Sequence, residues 1–288
     1  MSVVEAALAI AEWPAVAEAI ERARAASTTL RWHQALRRRI PEGAAESRVR
    51  GATASAELDG ARLSVDIIRD LMRGAVTWHD PLDPVERVAK GAVAATAETE
   101  VLTGRIRQAP AQVLARLHTL AAADLAVSAA AGDGLADSPL GRPRYDGEDC
   151  RELVEIGASP PAAEARERLA GVLELLGALD AVPVPVVAAL VHGELLHARP
   201  FPRANGVVAR AVERLIVRDG GLDPTGVAVP EAGHRLLGGN AYLGALTAYT
   251  RGDRHGVELW VVHCADALVA AAEEGTRIAD AVLAGRLT

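Results

Sequence analysis

Aromatic side chains make up only 3% of the 288 residues, and Phe201 is the single phenylalanine. A core for a chain of this length, one domain or two smaller ones, must therefore be filled by alanine, valine and leucine. Alanine and leucine favour closely packed helices. Cysteine is nearly as scarce. Cys150 and Cys264 lie far apart without ligand spacing, which argues against a disulfide framework and suits a reducing cytosol. No basic-then-apolar leader opens the chain and no apolar run reaches about 18 residues, so a soluble, cytoplasmic protein with no membrane partner is expected. Net positive charge is also missing. The formal charge of −7 argues against a nucleic-acid partner, and the one basic run, "LRRRI" at 36–40, reads as a solvated helix face.

What is present is helical periodicity. Apolar residues recur at spacings of three and four over 3–26 and again, after an expected break at "PEGAAES" (41–47), over 48–76 with a hinge near Gly60. Pro84 opens a helix to about 106, and Pro110 precedes another, about 111–130. The stretch 130–149 collects glycine, proline and aspartate, the composition of a long functional loop. "CRELVEI" at 150–156 reads as a short strand, one arm of a hairpin. Helices are expected at 161–179, 185–198 and 205–218, with two or three more between 230 and 285. The expected fold class is all-α.

The densest local signal is "HARPFPRANGVVAR" at 197–210, between two apolar helices. Pro200 ends the first, because the residue before a proline is pushed out of the α region. The second restarts near Asn205, a good cap residue, and Gly206 lets the backbone approach a ligand. Free amides and a positive dipole at such a start bind phosphates. Arg210, one turn in, leans back toward the same place with a permanent forked charge. An ordinary capped connection between two helices remains the plainer alternative.

This segment resembles the signature loop of Fic (Fic/Doc) domains, His-Pro-Phe-x-Asp/Glu-Gly-Asn-Gly-Arg-x-x-Arg. The likeness extends upstream into "VVAALVHGELLHARPF", downstream into "GGNAYLGALTAYTRGDRHGVELWVVHCADAL", and to "GRPR" at 141–144, the Gly-x-x-Arg before the family's flap. It covers roughly residues 50–280. The resemblance implies a Fic-fold helical domain with a short β-hairpin flap near 145–157 and a helical N-terminal extension. It divides the chain into an extension (1–50), a helical lobe (51–130) and a Fic core (131–288). It also implies transfer of AMP from a nucleotide to a protein hydroxyl. In that reaction the histidine is the general base, the acid holds Mg²⁺, and the Gly-Asn-Gly turn and last arginine cradle phosphates.

Position by position, Pro200, Phe201, Asn205, Gly206 and Arg210 are kept, while the first glycine is Ala204 and the first arginine Val207. The histidine position holds Arg199, which cannot act as a base, and the acidic position holds Arg203, which argues against Mg²⁺. The anion cradle is expected to survive as Arg199, Arg203, Ala204, Asn205, Gly206 and Arg210, holding ATP or another phosphorylated ligand. His197 is the rival base, although two positions along a helix rotate it by about 200°. Zinc at "HGELLH" is rejected, because His192 and His197 are five residues apart where the metal motif needs four. "SAELDG" at 55–60 resembles the family's inhibitory Ser/Thr-x-x-x-Glu-Gly/Asn helix through Ser55, Asp59 and Gly60, so Asp59 is expected to pair with Arg210. Three functions stay open: a phosphate-binding member without AMP transfer, a transferase with an altered mechanism, and a structural or partner-binding domain. A protein segment along the flap near 145–157 and a homodimer are the macromolecular partners these allow.

Overall fold

Prolines begin many of the helices and fix where the chain turns. The computed structural model describes residues 1–128 and 140–286, and among these it has twelve α-helices and no strand. The first lie in α1 (Val3–Ala11), α2 (Pro14–Arg31), α3 (Ile40–Leu58) and α4 (Val65–Met72). They are followed by α5 (Pro84–Val101), α6 (Pro110–Ser128), α7 (Ala162–Gly177) and α8 (Val184–Ala198). The last four are α9 (Asn205–Asp219), α10 (Pro230–Leu237), α11 (Gly239–Tyr249) and α12 (Arg254–Leu283). Proline stands in the first turn of α2, α3, α5, α8 and α10, where no amide donor is needed. Asp83 adds a capping box with Glu86 at the start of α5.

The periodic stretch 3–26 is helical in two pieces, because Trp13 is extended and Pro14 starts a new helix. Two local expectations are corrected. "PEGAAES" is no break: α3 runs through it, with Pro41 in the first turn and Gly43 packed where a Cβ would lie 3.1 Å from Val227. The strand at 150–156, and with it the β-hairpin flap, is absent. Leu153 adopts a left-handed conformation and Val154–Ile156 form a single 3₁₀ turn. The basic run at 36–40 straddles a 3₁₀ turn with Arg37, Arg38 and Arg39 exposed. The loop expected at 130–149 lies outside the described residues as far as 139.

The core is the alanine-, valine- and leucine-rich interior that the scarcity of aromatics requires. α8 and α9 sit at its centre and are buried almost all round, α8 as a helix apolar on nearly every face and α9 with its buried charges Arg210, Glu213 and Arg214 paired. One buried cluster draws on Ala7 of α1, Val16 of α2, Ala92 of α5, Leu117 of α6, Leu176 of α7 and Cys264 of α12. Alanine at Ala188, Ala189 and Ala209, all fully buried, lets neighbouring helices approach the central pair closely. Both cysteines are buried and free, and no helix is long and apolar enough to cross a membrane among the described residues.

Candidate functional site

The connection between α8 and α9 is built on two left-handed residues. Arg199 ends α8 at φ 43°, ψ 61°, and Ala204 precedes α9 at φ 62°. Each costs about 1–3 kcal/mol without glycine's freedom, so contacts must hold the loop in place. Asn205 supplies two of them. Its Oδ1 accepts the Phe201 N–H at 3.0 Å and its Nδ2 donates to the Phe201 carbonyl at 2.9 Å. Asn205 is therefore the first helical residue and a loop clamp rather than the cap, and Ala204 in the cap position leaves the first amides of α9 without a side-chain cap.

Those amides hold an anion that the chain itself provides. The Glu152 carboxylate accepts the Ala204 N–H at 2.5 Å, the Asn205 N–H at 3.0 Å and the Asn205 Nδ2 at 2.9 Å. A helix N-terminus is an anion site for this reason, and here an internal carboxylate occupies it. Burial, and then the Asp59 charge, raise the Glu152 carboxyl above its ordinary value, against the three donors. Sequence reasoning missed Glu152 because "CRELVEI" was read as a strand. The one available signal was an acid inside a short apolar run.

Arg199 takes no part in the cradle, which corrects its assignment to phosphate binding. Its side chain is buried at 2% exposure, and it donates to the carbonyls of Glu152, Leu153, Gly157 and Ala158. Arg144, the arginine of "GRPR", is equally buried and binds the carbonyls of Arg199, Ala198, Glu148 and Pro160, while its N–H donates to the Pro200 carbonyl. Residues 144–160 are thus strapped over the loop by two arginines and one glutamate. The strap's carbonyls face inward onto Arg199, and this is the physical reason no hairpin forms.

Arg203 lines the mouth of the loop, and its guanidinium donates to the Leu125 carbonyl. Phe201 stacks on His118 with ring centroids 4.0 Å apart. Burial pushes His118 down to about 4, and its Nδ1 accepts the Gly141 N–H at 2.9 Å.

Asp59 and Arg210 do meet. Arg210, 1% exposed, donates from Nη2 to Asp59 Oδ1 at 2.6 Å and from Nε to Ser55 Oγ at 2.9 Å, with Nη2 also reaching the Ser55 carbonyl. Burial alone would lower this guanidinium, yet the Asp59 charge and the Tyr242 hydroxyl hold it above its ordinary value. Gly206 makes room for the pair: a Cβ there would fall 2.7 Å from Asp59 Oδ1 and 3.1 Å from Arg210 Nη1. Gly60, at φ 85°, turns the chain just after Asp59. His197 stays on α8, half-buried, where burial and the nearby Arg168 lower it, and it does not line the cavity at the loop.

That cavity, about 690 Å³, is lined by Asp59, Gly60, Arg151, Glu152, Arg203, Ala204, Gly206 and Tyr242 among apolar neighbours. A larger cleft, about 1140 Å³, lies between α1, α7 and α8 and includes none of the loop residues. We regard the smaller one as the candidate site, because the anion-binding amides and Arg210 converge beside it.

No protein-family model and no curated protein sequence matches the chain. Solved structures do. A Fic family protein from Desulfovibrio desulfuricans is similar with TM-score 0.63 and 20% identity, over 91% of this chain and 74% of that one. Fic-1 (residues 134–508) from C. elegans gives TM-score 0.67 and 18% identity over 94% and 73%. A Fic domain containing signaling protein from Bacteroides thetaiotaomicron gives 0.63 and 13% over 91% and 98%. The chain therefore has the all-α Fic fold. Within that fold, the loop joining α8 to α9 is the place where the signature was read.

Proposed function

We propose that this chain is a Fic-fold protein that does not perform AMP transfer and that binds the phosphate of a nucleotide or related ligand at the N-terminus of α9, in place of its own Glu152. The observation that carries this reading is the Glu152 carboxylate on the Ala204 and Asn205 donors. Three donors converging on one carboxylate form a seat for negative charge. Asp59 on Arg210 fills the place of a second, more distal phosphate, as the likeness of "SAELDG" to an inhibitory helix implies.

The fold family's reaction finds no support in these residues. A guanidinium cannot take a proton from an attacking hydroxyl, and Arg199 is turned away beneath the strap. Mg²⁺ does not fit the loop's acidic position, where Arg203 stands bonded to a backbone carbonyl. Docking of a target segment along the strap by strand addition is also disfavoured, because four strap carbonyls already bind Arg199.

A carboxyl raised in the closed state stabilises that state below the ordinary carboxylate range and loses this contribution as pH rises through the raised value. At neutral pH its release to water therefore relieves a desolvation cost. Calorimetric titration with ATP, with and without Mg²⁺, tests the reading. We expect saturable, Mg²⁺-independent binding that strengthens about tenfold or more in Glu152→Ala and is lost in Arg210→Ala. No binding to Glu152→Ala would leave a purely structural or partner-binding domain. Label transfer from α-labelled ATP to protein, lost in His197→Ala, would establish the altered-transferase alternative.

A further inference from the structure

Behind Tyr242, three helices bring one polar residue each to a single point. His192 of α8, Glu213 of α9 and His234 of α10 are fully buried, and their ligand atoms all lie within 4.8 Å of one another. His192 Nδ1 lies 2.7 Å and His234 Nε2 2.9 Å from the same carboxylate oxygen, Glu213 Oε2. The other oxygen, Oε1, has no hydrogen-bond partner, and neither does His234 Nδ1. A hydrogen-bonded cluster with two donors and two carboxylate oxygens would use both oxygens, since each buried polar atom left unpaired costs about 1–3 kcal/mol. Here one oxygen serves both rings.

The surroundings favour a fixed centre. His192 Nε2 bonds the Tyr242 hydroxyl at 2.7 Å, an outer contact that fixes the orientation of the ring with Nδ1 toward the carboxylate. Glycines flank both histidines where helices touch. A Cβ on Gly193 would lie 2.6 Å from Trp260 Nε1, and one on Gly233 would lie 2.0 Å from the Ala267 carbonyl. Trp260 closes the cluster with its ring centroid 5.6 Å from that of His192.

We propose that His192, Glu213 and His234 form a structural site for one divalent transition-metal ion, with zinc the best match to two imidazoles and a carboxylate. Both Glu213 oxygens would join His192 Nδ1 and His234 Nε2 as donors, giving a four-coordinate site without an open position. On binding, the N–H of each neutral ring moves from the nitrogen facing the carboxylate to the other one, Nε2 of His192 and Nδ1 of His234, and the donors spread by a fraction of an ångström to reach about 2.0–2.2 Å from the ion.

The test is metal analysis of the full chain, purified from zinc-supplemented culture without a chelating resin. The expected result is one zinc per chain by plasma mass spectrometry and the visible absorption of a low-symmetry, protein-bound cobalt ion on cobalt replacement. Zinc should fall at least about tenfold in Glu213→Gln and His234→Asn and persist in His118→Asn. Wild-type protein without metal and without a cobalt spectrum overturns the proposal, as does zinc content unchanged in both ligand variants. The wild-type measurements decide the question even if the variants fail to fold.

Discussion

Arg199, Arg203 and Arg210 lie within twelve residues of one another, and the sequence invites grouping them around one phosphate. The structure sends them three ways: Arg199 under the strap, Arg203 to the Leu125 carbonyl and Arg210 to Asp59 and Ser55. Position along the chain was legible, whereas side-chain direction was not, because the left-handed turn at Arg199 reverses where that side chain points. Arg210 was readable because it lies inside a regular helix, where lean and spacing are fixed. Arg199→Met should therefore destabilise the protein by about 3 kcal/mol or more, since several buried carbonyls lose their donor together, as read from the urea midpoint. Arg199→His should not restore AMP transfer, because the strap and Arg203 remain; label transfer from ATP onto protein by that variant would contradict this.

Among elements, boundaries set by proline were read well. Pro84 and Pro110 begin α5 and α6 as expected, and Gly60 separates α3 from α4. The failures have a common cause, since glycine and proline in "PEGAAES" serve packing and a first turn, and the short segment "CRELVEI" serves an internal strap. Both are decided by partners distant in sequence. The cluster of His192, Glu213 and His234 was illegible for the same reason: its members come from three helices, and "HGELLH" drew attention to the wrong second histidine. Gly206 is the element-scale residue that couples α3 to α9. Gly206→Ala should push Asp59 from Arg210 and lower stability by about 1–3 kcal/mol in thermal unfolding, an effect that Asp59→Ala should largely remove in a double-mutant cycle.

At the scale of the whole molecule, an alanine-rich interior and a central buried helix pair give the fold, while polar groups inside it set the response to pH. His118 has its folded-state value depressed to about 4 by burial. Its stabilising contribution is complete above the ordinary histidine value near 6.5 and is lost as pH falls toward 4, a change of about 3 kcal/mol. His118→Asn should flatten the stability profile across that window relative to wild type, as followed by urea unfolding at stepped pH.

In the proposed function the amides opening α9 seat negative charge, and Glu152 occupies them only until a phosphate arrives. A crystal structure of the wild-type chain with ATP at saturating concentration is the decisive measurement. Phosphate oxygens are expected on the Ala204 and Asn205 amides, with the Glu152 side chain swung out of the seat. Glu152 still bonded to both amides, with ATP elsewhere or not bound, would contradict it.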